Sequence, residues 1–270
     1  MSEGLPAWAW QFEPGHLGQQ PAMSLPAPIT REWAFGAATG AGVKVAVVDS
    51  GIESGHPLVG DVQGGVAVEA DGASGVRFVE GPHEDLFGHG TACAGIIRSL
   101  APDCELYSVR VLGTGLTGRG TVFAAGLQWA IDAGMDVVNV SMSTRRAEMF
   151  STLHRIADRA YFAGTVLVSA INNVRAASYP SEFASVVSVA CAAGDGPYAL
   201  TYNPRPPVEF GAAGLGVQIA WLGGGTTRAT GNSFAAPRVA GLVALMLSEH
   251  PALTPFEVKT ILRAIATNVG

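Results

Sequence analysis

An acid, a base and a nucleophile occupy three glycine-flanked positions in this chain. Asp49 opens Asp49-Ser50-Gly51, His89 lies between Gly88 and Gly90, and Ser233 follows Gly231-Asn232. In contact, these residue types can activate a hydroxyl: the base takes the serine proton, while the acid fixes the imidazole tautomer and balances its positive charge. Each also has a plainer reading. Asp-Ser-Gly after a strand is an ordinary turn, a lone His at a helix start is a surface or capping residue, and a Ser before a helix is an N-cap. What favours chemistry is that all three types recur in one context, an element end beside glycine.

The elements that must position them follow from periodicity. The near-continuous β-branched run 43–48 reads as a parallel strand buried on both faces, with Asp49 at its carboxyl end. Residues 90–97 read as a helix, 106–112 as a strand, 122–133 as a helix and 136–140 as a buried strand. A helix over 150–163, strands over 165–170 and 186–190 and an amphipathic helix over 253–266 complete the pattern. After Ser233 the chain is apolar nearly all round, which predicts a buried helix. Pro237 is expected within about its first turn, where a missing N–H costs little. The serine hydroxyl then sits at the positive end of the helix dipole, beside unpaired N–H groups. Alternation of strand and helix predicts an α/β fold: a doubly wound, mostly parallel sheet with helices on both faces. In such a sheet, catalytic groups collect at the carboxyl ends of the strands.

Composition narrows the class. With 270 residues and 48% hydrophobic content the chain can bury one large core. A net charge of -6, without a Lys/Arg cluster, argues against nucleic acid as partner. No run approaches the roughly 20 apolar residues of a membrane span, and residues 1–20 lack the basic start and apolar run of a signal peptide. Cys93, Cys104 and Cys191 are too scattered for a disulfide framework or zinc site, so a reducing, cytoplasmic setting is expected. Residues 1–42, with Trp8, Trp10, Phe12, Trp33 and Phe35 among prolines, read as an extension packing its aromatics onto a body at 43–270.

The surroundings of the three residues carry a resemblance. Val45-Ala46-Val47-Val48-Asp49-Ser50-Gly51-Ile52, His89-Gly90-Thr91-Ala92-Cys93-Ala94-Gly95 and Gly231-Asn232-Ser233-Phe234-Ala235-Ala236-Pro237 resemble the aspartate, histidine and serine motifs of subtilisin-like serine proteases, in that family's order. The resemblance runs from about residue 29 to 267 and implies a three-layer sandwich and a serine endopeptidase. It implies Asp49, His89 and Ser233 as the triad and Asn172 as the side-chain oxyanion donor, with the adjacent Asn173 competing for that role. It further implies a peptide or protein substrate bound as an extended strand between Leu116-Thr117-Gly118 and Ser141-Met142-Ser143, with Ser169, Ala170, Ile171 and Ser178 around the pocket for the residue before the cut.

Departures from the family pattern sharpen the expectation. Ser143 and Thr144, Ile171, and Ser178 stand where the family has glycines, which predicts a small or shallow pocket. Asn232, Phe234 and Arg238 replace its usual residues beside the nucleophile, and Asn232 is expected to weaken or rearrange oxyanion binding. Glu84 and Asp85 either favour a basic substrate side chain or form a solvated acidic loop. No cofactor and no metal are expected. The spacing of His83, Glu84, Asp85 and His89 matches no zinc motif. The calcium loop that many relatives carry after the histidine helix is replaced by Ile97-Arg98-Ser99-Leu100-Ala101-Pro102, and Leu58 stands where the family's calcium-binding Asp would fall.

Two other classes compete. Gly113-Thr114-Gly115-Leu116-Thr117-Gly118 satisfies G-x-G-x-x-G between a strand and a helix, as in an NAD-dependent oxidoreductase, but no acid ends the second strand at Val140-Ser141. A subtilisin-like fold kept as a non-catalytic binding module is the other. With no recognisable inhibitory propeptide in the first 42 residues, a selective processing protease is expected rather than a digestive one.

Overall fold

The computed structural model describes residues 6–17, 25–73, 75–81, 83–194 and 196–269. After a short 3₁₀ turn (Ala9–Phe12) come helices α1 (Pro14–Leu17) and α2 (Arg31–Phe35), strands β1 (Lys44–Asp49), β2 (Gly64–Asp71) and β3 (Gly75–Glu80), and helix α3 (His89–Leu100). Then follow β4 (Glu105–Arg110), α4 (Gly120–Asp132), β5 (Val137–Val140), α5 (Phe150–Ala163), β6 (Val166–Ala170) and β7 (Val187–Cys191). Short strands β8 (Leu200–Tyr202), β9 (Phe210–Ala212), β10 (Val217–Trp221) and β11 (Gly225–Ala229) lead to α6 (Asn232–Glu249) and α7 (Pro255–Ala264).

Nine strands form one sheet in the order β3-β2-β4-β1-β5-β6-β7-β9-β8, parallel except at its edges, where β3 and β8 run antiparallel to their neighbours. β1 lies between β4 and β5. The period-two alternation of a strand divides its side chains between two cores. Val45 and Val47 face the core built with α3, α6 and α7; Ala46 and Val48 face the core of α4 and α5. This is the doubly wound α/β arrangement. Asp49 ends β1, Ala170 ends β6 and Ser141 follows β5, so the sheet's carboxyl edge gathers the site.

The local chemistry of the ends is legible. Thr254 caps α7 in a capping box with Glu257, and Pro255 follows at the first turn. α6 is buried along most of its length, as an all-round apolar helix must be. Pro237 is its sixth residue, past the first turn where it was expected, and the consequence appears at the nucleophile below. The extension also differs from expectation. Trp33 stacks on His250 and Phe35 is buried, but Trp8, Trp10 and Phe12 are exposed, and Trp10 packs edge-on against His16 of the neighbouring α1.

Candidate active site

α3 and α6 both start at the carboxyl edge of the sheet, bringing His89 and Ser233 to one cleft of about 270 Å³. Leu112, Leu116, Ser141, Met142, Ser143, Ala170, Ile171, Asn172 and Asn173 line the rest of it. Gly88 precedes α3 at φ 107, a left-handed conformation suited to glycine, and a Cβ there would press on Trp221. At Gly90 a Cβ would collide with the carbonyl oxygen of Gly51 and lie 3.1 Å from the Asp49 Cβ. Glycine on both sides of His89 therefore lets the helix start press onto the end of β1.

Asp49 is fully buried behind the cleft. Its Oδ1 and Oδ2 accept from His89 Nδ1 at 2.9 and 2.8 Å, and the Ser50 N–H donates to Oδ1 at 2.8 Å. With the Nδ1 proton held there, the lone pair of Nε2 is free for the cleft. Burial pushes the His89 pKa down, but the facing Asp49 carboxylate outweighs it and leaves the imidazole well above its ordinary value. Cys93 Sγ lies 3.9 Å from Asp49 Oδ2 and 4.0 Å from His89 Nδ1. Burial raises the Cys93 pKa, so this thiol is neutral at ordinary pH and Asp49 is the anion that acts. Asp49, His89 and Cys93 are the one group of possible metal-ligating side chains found among the described residues; their hydrogen bonds already link them to one another.

Proline shapes the surroundings of Ser233. In a regular helix the N–H of residue 237 would bond to the carbonyl of Ser233, and proline has none to give. The Ser141 hydroxyl donates to that carbonyl at 2.9 Å, Cys93 Sγ–H approaches it at 3.6 Å, and Asn139 Nδ2 donates in turn to Ser141 Oγ at 3.0 Å. Ser141 thus supplies the hydrogen bond that the helix cannot. Among the described residues no hydrogen bond joins Ser233 Oγ to His89, although both face the cleft; such bonds commonly tighten only when substrate arrives.

Main-chain and side-chain amides meet at the same helix start. The N–H of Asn232 goes to Asn173 Oδ1 at 2.9 Å and that of Phe234 to Gly231 O at 3.0 Å. The Ser233 N–H between them belongs to the first turn, which offers no intrahelical partner. Asn172 Oδ1 accepts from the Val174 N–H at 3.0 Å, and its Nδ2 reaches Ser143 Oγ at 3.5 Å across the cleft lining. Asn172 and Asn173 both line the cleft with their amide oxygens engaged, so hydrogen bonding does not separate the two. Asn232 does not reach the cleft lining. Its Oδ1 accepts from Cys191 N, and its Nδ2 donates to the carbonyls of Ile171 and Asn172. It therefore braces the segment 171–172 from behind. Phe234 is buried with its ring 5.4 Å from the His89 ring, and Arg238 Nε donates to Ala213 O at 3.0 Å.

The remaining sequence expectations sort by position. Leu116, Ser141, Met142, Ser143, Ala170 and Ile171 line the cleft, while Thr117 and Gly118 lie exposed beyond it. Ser169 is fully buried, which excludes a side-chain contact with substrate. Ser178 is also buried; its hydroxyl accepts from the Asn172 N–H at 2.8 Å and bonds to Ser181 Oγ at 2.7 Å. It props the floor from below. Thr144 and Tyr179 pair through two main-chain hydrogen bonds, 2.9 and 3.0 Å, which tie the segment after Ser143 to the one after Ser178. The Gly113–Gly118 turn folds on itself through Gly113 N to Thr117 O and Leu116 N to Gly113 O, with Leu116 at φ 51. Its Leu116 walls the cleft rather than cradling a dinucleotide.

Asp85 overturns both sequence readings, since it is buried and its carboxylate is taken up by internal donors. Its carboxylate accepts from Ser50 Oγ (2.7 Å), the N–H groups of Phe87, Gly88 and Thr91 (2.9, 2.8 and 2.8 Å) and Thr91 Oγ1 (2.7 Å). It thereby ties the residue after Asp49 to the first turn of the helix bearing His89. Its spacing, three residues before the glycine that caps α3, was the available signal. Leu112 and Asn173 also join the cleft without having been singled out as lining it.

Comparison with known proteins agrees with this geometry. Residues 40–270 match the family model described as the Subtilase family. Subtilisin E of Bacillus subtilis is 32% identical over 96% of this chain and 70% of its own length. Subtilisin of Bacillus pumilus is 33% identical over 86% of each. A cold-adapted subtilisin-like serine proteinase of known crystal structure superposes with a TM-score of 0.66 at 23% identity, covering 86% of this chain and 87% of the other. That last likeness concerns the fold.

Proposed function

The chain belongs to the subtilase family and is a serine endopeptidase, and we propose that Asp49, His89 and Ser233 carry its chemistry through an acyl-enzyme. The contact of His89 Nδ1 with buried Asp49, behind a cleft that also holds Ser233, is the observation that supports this reading most directly. In this mechanism His89 Nε2 takes the Ser233 proton as Oγ attacks the scissile carbonyl. The imidazolium, stabilised by Asp49, then gives the proton to the leaving amine. Water repeats the sequence on the acyl-enzyme. The Ser233 N–H and Asn172 Nδ2 receive the negative charge on the carbonyl oxygen. A fluorophosphonate probe is expected to label the wild type and not S233A; an unlabelled wild type would mean a binding module on a protease fold.

The substrate lies extended between 116–118 and 141–143, and the residue before the cut enters a restricted pocket. The side chains of Ser143 and Ile171, which line the cleft, and of Ser178, which buttresses Asn172, support a small residue there. Cleavage profiling on a peptide library tests this, and a preference for Phe, Tyr or Leu at that position would overturn it. A restricted pocket fits selective processing of a peptide precursor rather than general digestion. The three free thiols fit a reducing, cytoplasmic setting. Broad digestion of unrelated unfolded proteins by the purified enzyme would refute the selective role.

A further inference from the structure

The end of α3 opposite His89 holds a constellation that the catalytic chemistry does not use. Half-buried Arg98 sends Nε to the carbonyl of Val59 at 2.8 Å, Nη1 to those of Pro102 and Cys104 at 2.7 Å each, and Nη2 to that of Asp61 at 3.1 Å. Four of the five guanidinium N–H groups therefore end on main-chain oxygens. These come from two separate segments, the loop after β1 and the connection from α3 to β4. Asp61, Asp103 and Glu105 line the same surface cleft. Carbonyl oxygens converging beside carboxylates are the ligand chemistry of a hard divalent cation.

The family resemblance implies a calcium ion near this end of the histidine helix, and the residues present do not fit one. The lone pairs that would coordinate a metal are directed at Arg98. The guanidinium occupies the centre where the metal's charge would sit. Residue 58 is a half-exposed leucine and offers no carboxylate. The connection from α3 to β4 spans only 101–104, and its carbonyls at 102 and 104 are those that Arg98 takes.

We propose that the Arg98 guanidinium is the built-in cation of this cage, holding together the carbonyls for which the family pattern uses a metal ion. An arginine suits the task because its planar fork is always charged and can reach several acceptors at once. Lysine would offer one compact charge and could not span both segments. Because the cation is covalently part of α3, it cannot be lost to a chelator. It ties the loop after β1 and the start of β4 to the helix that places His89.

Thermal melting of the full chain, with and without calcium, tests the proposal. Wild-type Tm is expected to be the same in millimolar EDTA and in millimolar calcium. R98A should melt lower by roughly 5–10 °C, the shift for losing several charge-assisted hydrogen bonds in a domain of this size. Its vacated cage should then respond to calcium or methylguanidinium with a rise in Tm that the wild type does not show. R98K, which keeps the charge and loses the fork, should melt between the two and serves if R98A does not fold. A wild-type Tm that falls in EDTA and recovers with calcium would overturn the proposal. So would an R98A that melts with the wild type, or one whose Tm neither cation raises.

Discussion

Replacing Asp85 with alanine removes one carboxylate and leaves five donors without an acceptor, three of them main-chain N–H groups around the start of α3. Each hydrogen bond to a charged group contributes a net of about 1.5–3 kcal/mol. The five share one acceptor and are not additive, and water entering beside exposed Glu84 and Leu86 re-pairs some of them. A loss of about 3–5 kcal/mol follows, the scale for breaking a buried charged network. In a chain of this size it lowers Tm by roughly 10 °C. D85N should fall between, because the amide keeps one acceptor oxygen but turns N–H groups toward donors. Urea unfolding gives the free energies and calorimetry the Tm. Cleavage of matched peptides with neutral and basic residues beside the cut gives the specificity. If Asp85 instead served substrate, D85A would lose its preference for the basic peptide while keeping wild-type stability. That result, or a destabilisation under 1 kcal/mol, would refute the structural assignment.

The pH dependence follows from His89. Because it must be neutral to act as base and its pKa is raised, the acid limb of kcat/KM should lie above the ordinary imidazole value of about 6.5. The same shift is a stability statement. The charged His89–Asp49 pair stabilises the fold fully below the unfolded value and loses that contribution as pH rises through the folded one. The Tm difference between wild type and H89Q should therefore be largest in acid and shrink in alkali; a difference that grows with pH contradicts the pairing. N172A should lower kcat by about 10²–10³, the range known for the side-chain oxyanion donor of subtilisin, with KM little changed. Equal losses in binding and turnover would point to another role. G90A should abolish turnover, since its Cβ would strike the Gly51 carbonyl and press on Asp49; an active G90A would mean that the start of α3 can move away from β1.

The central strands were legible because burial on both faces leaves an unmistakable apolar run, as in β1, β5 and β6. The helix over Phe150–Ala163 was legible to the residue. The β2–β3 hairpin was not read: β3 is an edge strand with nearly every residue exposed, and the apolar runs of β2 and β3 are short and flanked by glycines and acids. β8 and β9, of three residues each, are too short for a period. At the site, residue types and flanking glycines pointed to Asp49, His89 and Ser233, and the resemblance of their surroundings to the subtilisin-like motifs strengthened that reading. The residues supporting them were hidden because they act across the chain. Ser141 answers a defect created by Pro237, Asn232 braces a loop some sixty residues away, and Arg98 reaches carbonyls on two sides of its helix. Asp85 was misread beside Glu84, since two adjacent acids look alike in sequence while one faces outward and the other caps a helix.

The burial of α6 has a consequence for self-digestion. Thirteen of its eighteen residues are buried, and it packs against α3, β5, β6 and β7 at once. A helix so enclosed opens only when the whole domain opens. Ser233, the nucleophile of the proposed mechanism, sits on its first turn, so a molecule that unfolds into a substrate ceases to be an armed protease. In a warming sample, autolysis then needs one folded and one unfolded copy. It should be fastest near the melting midpoint, and vanish above it.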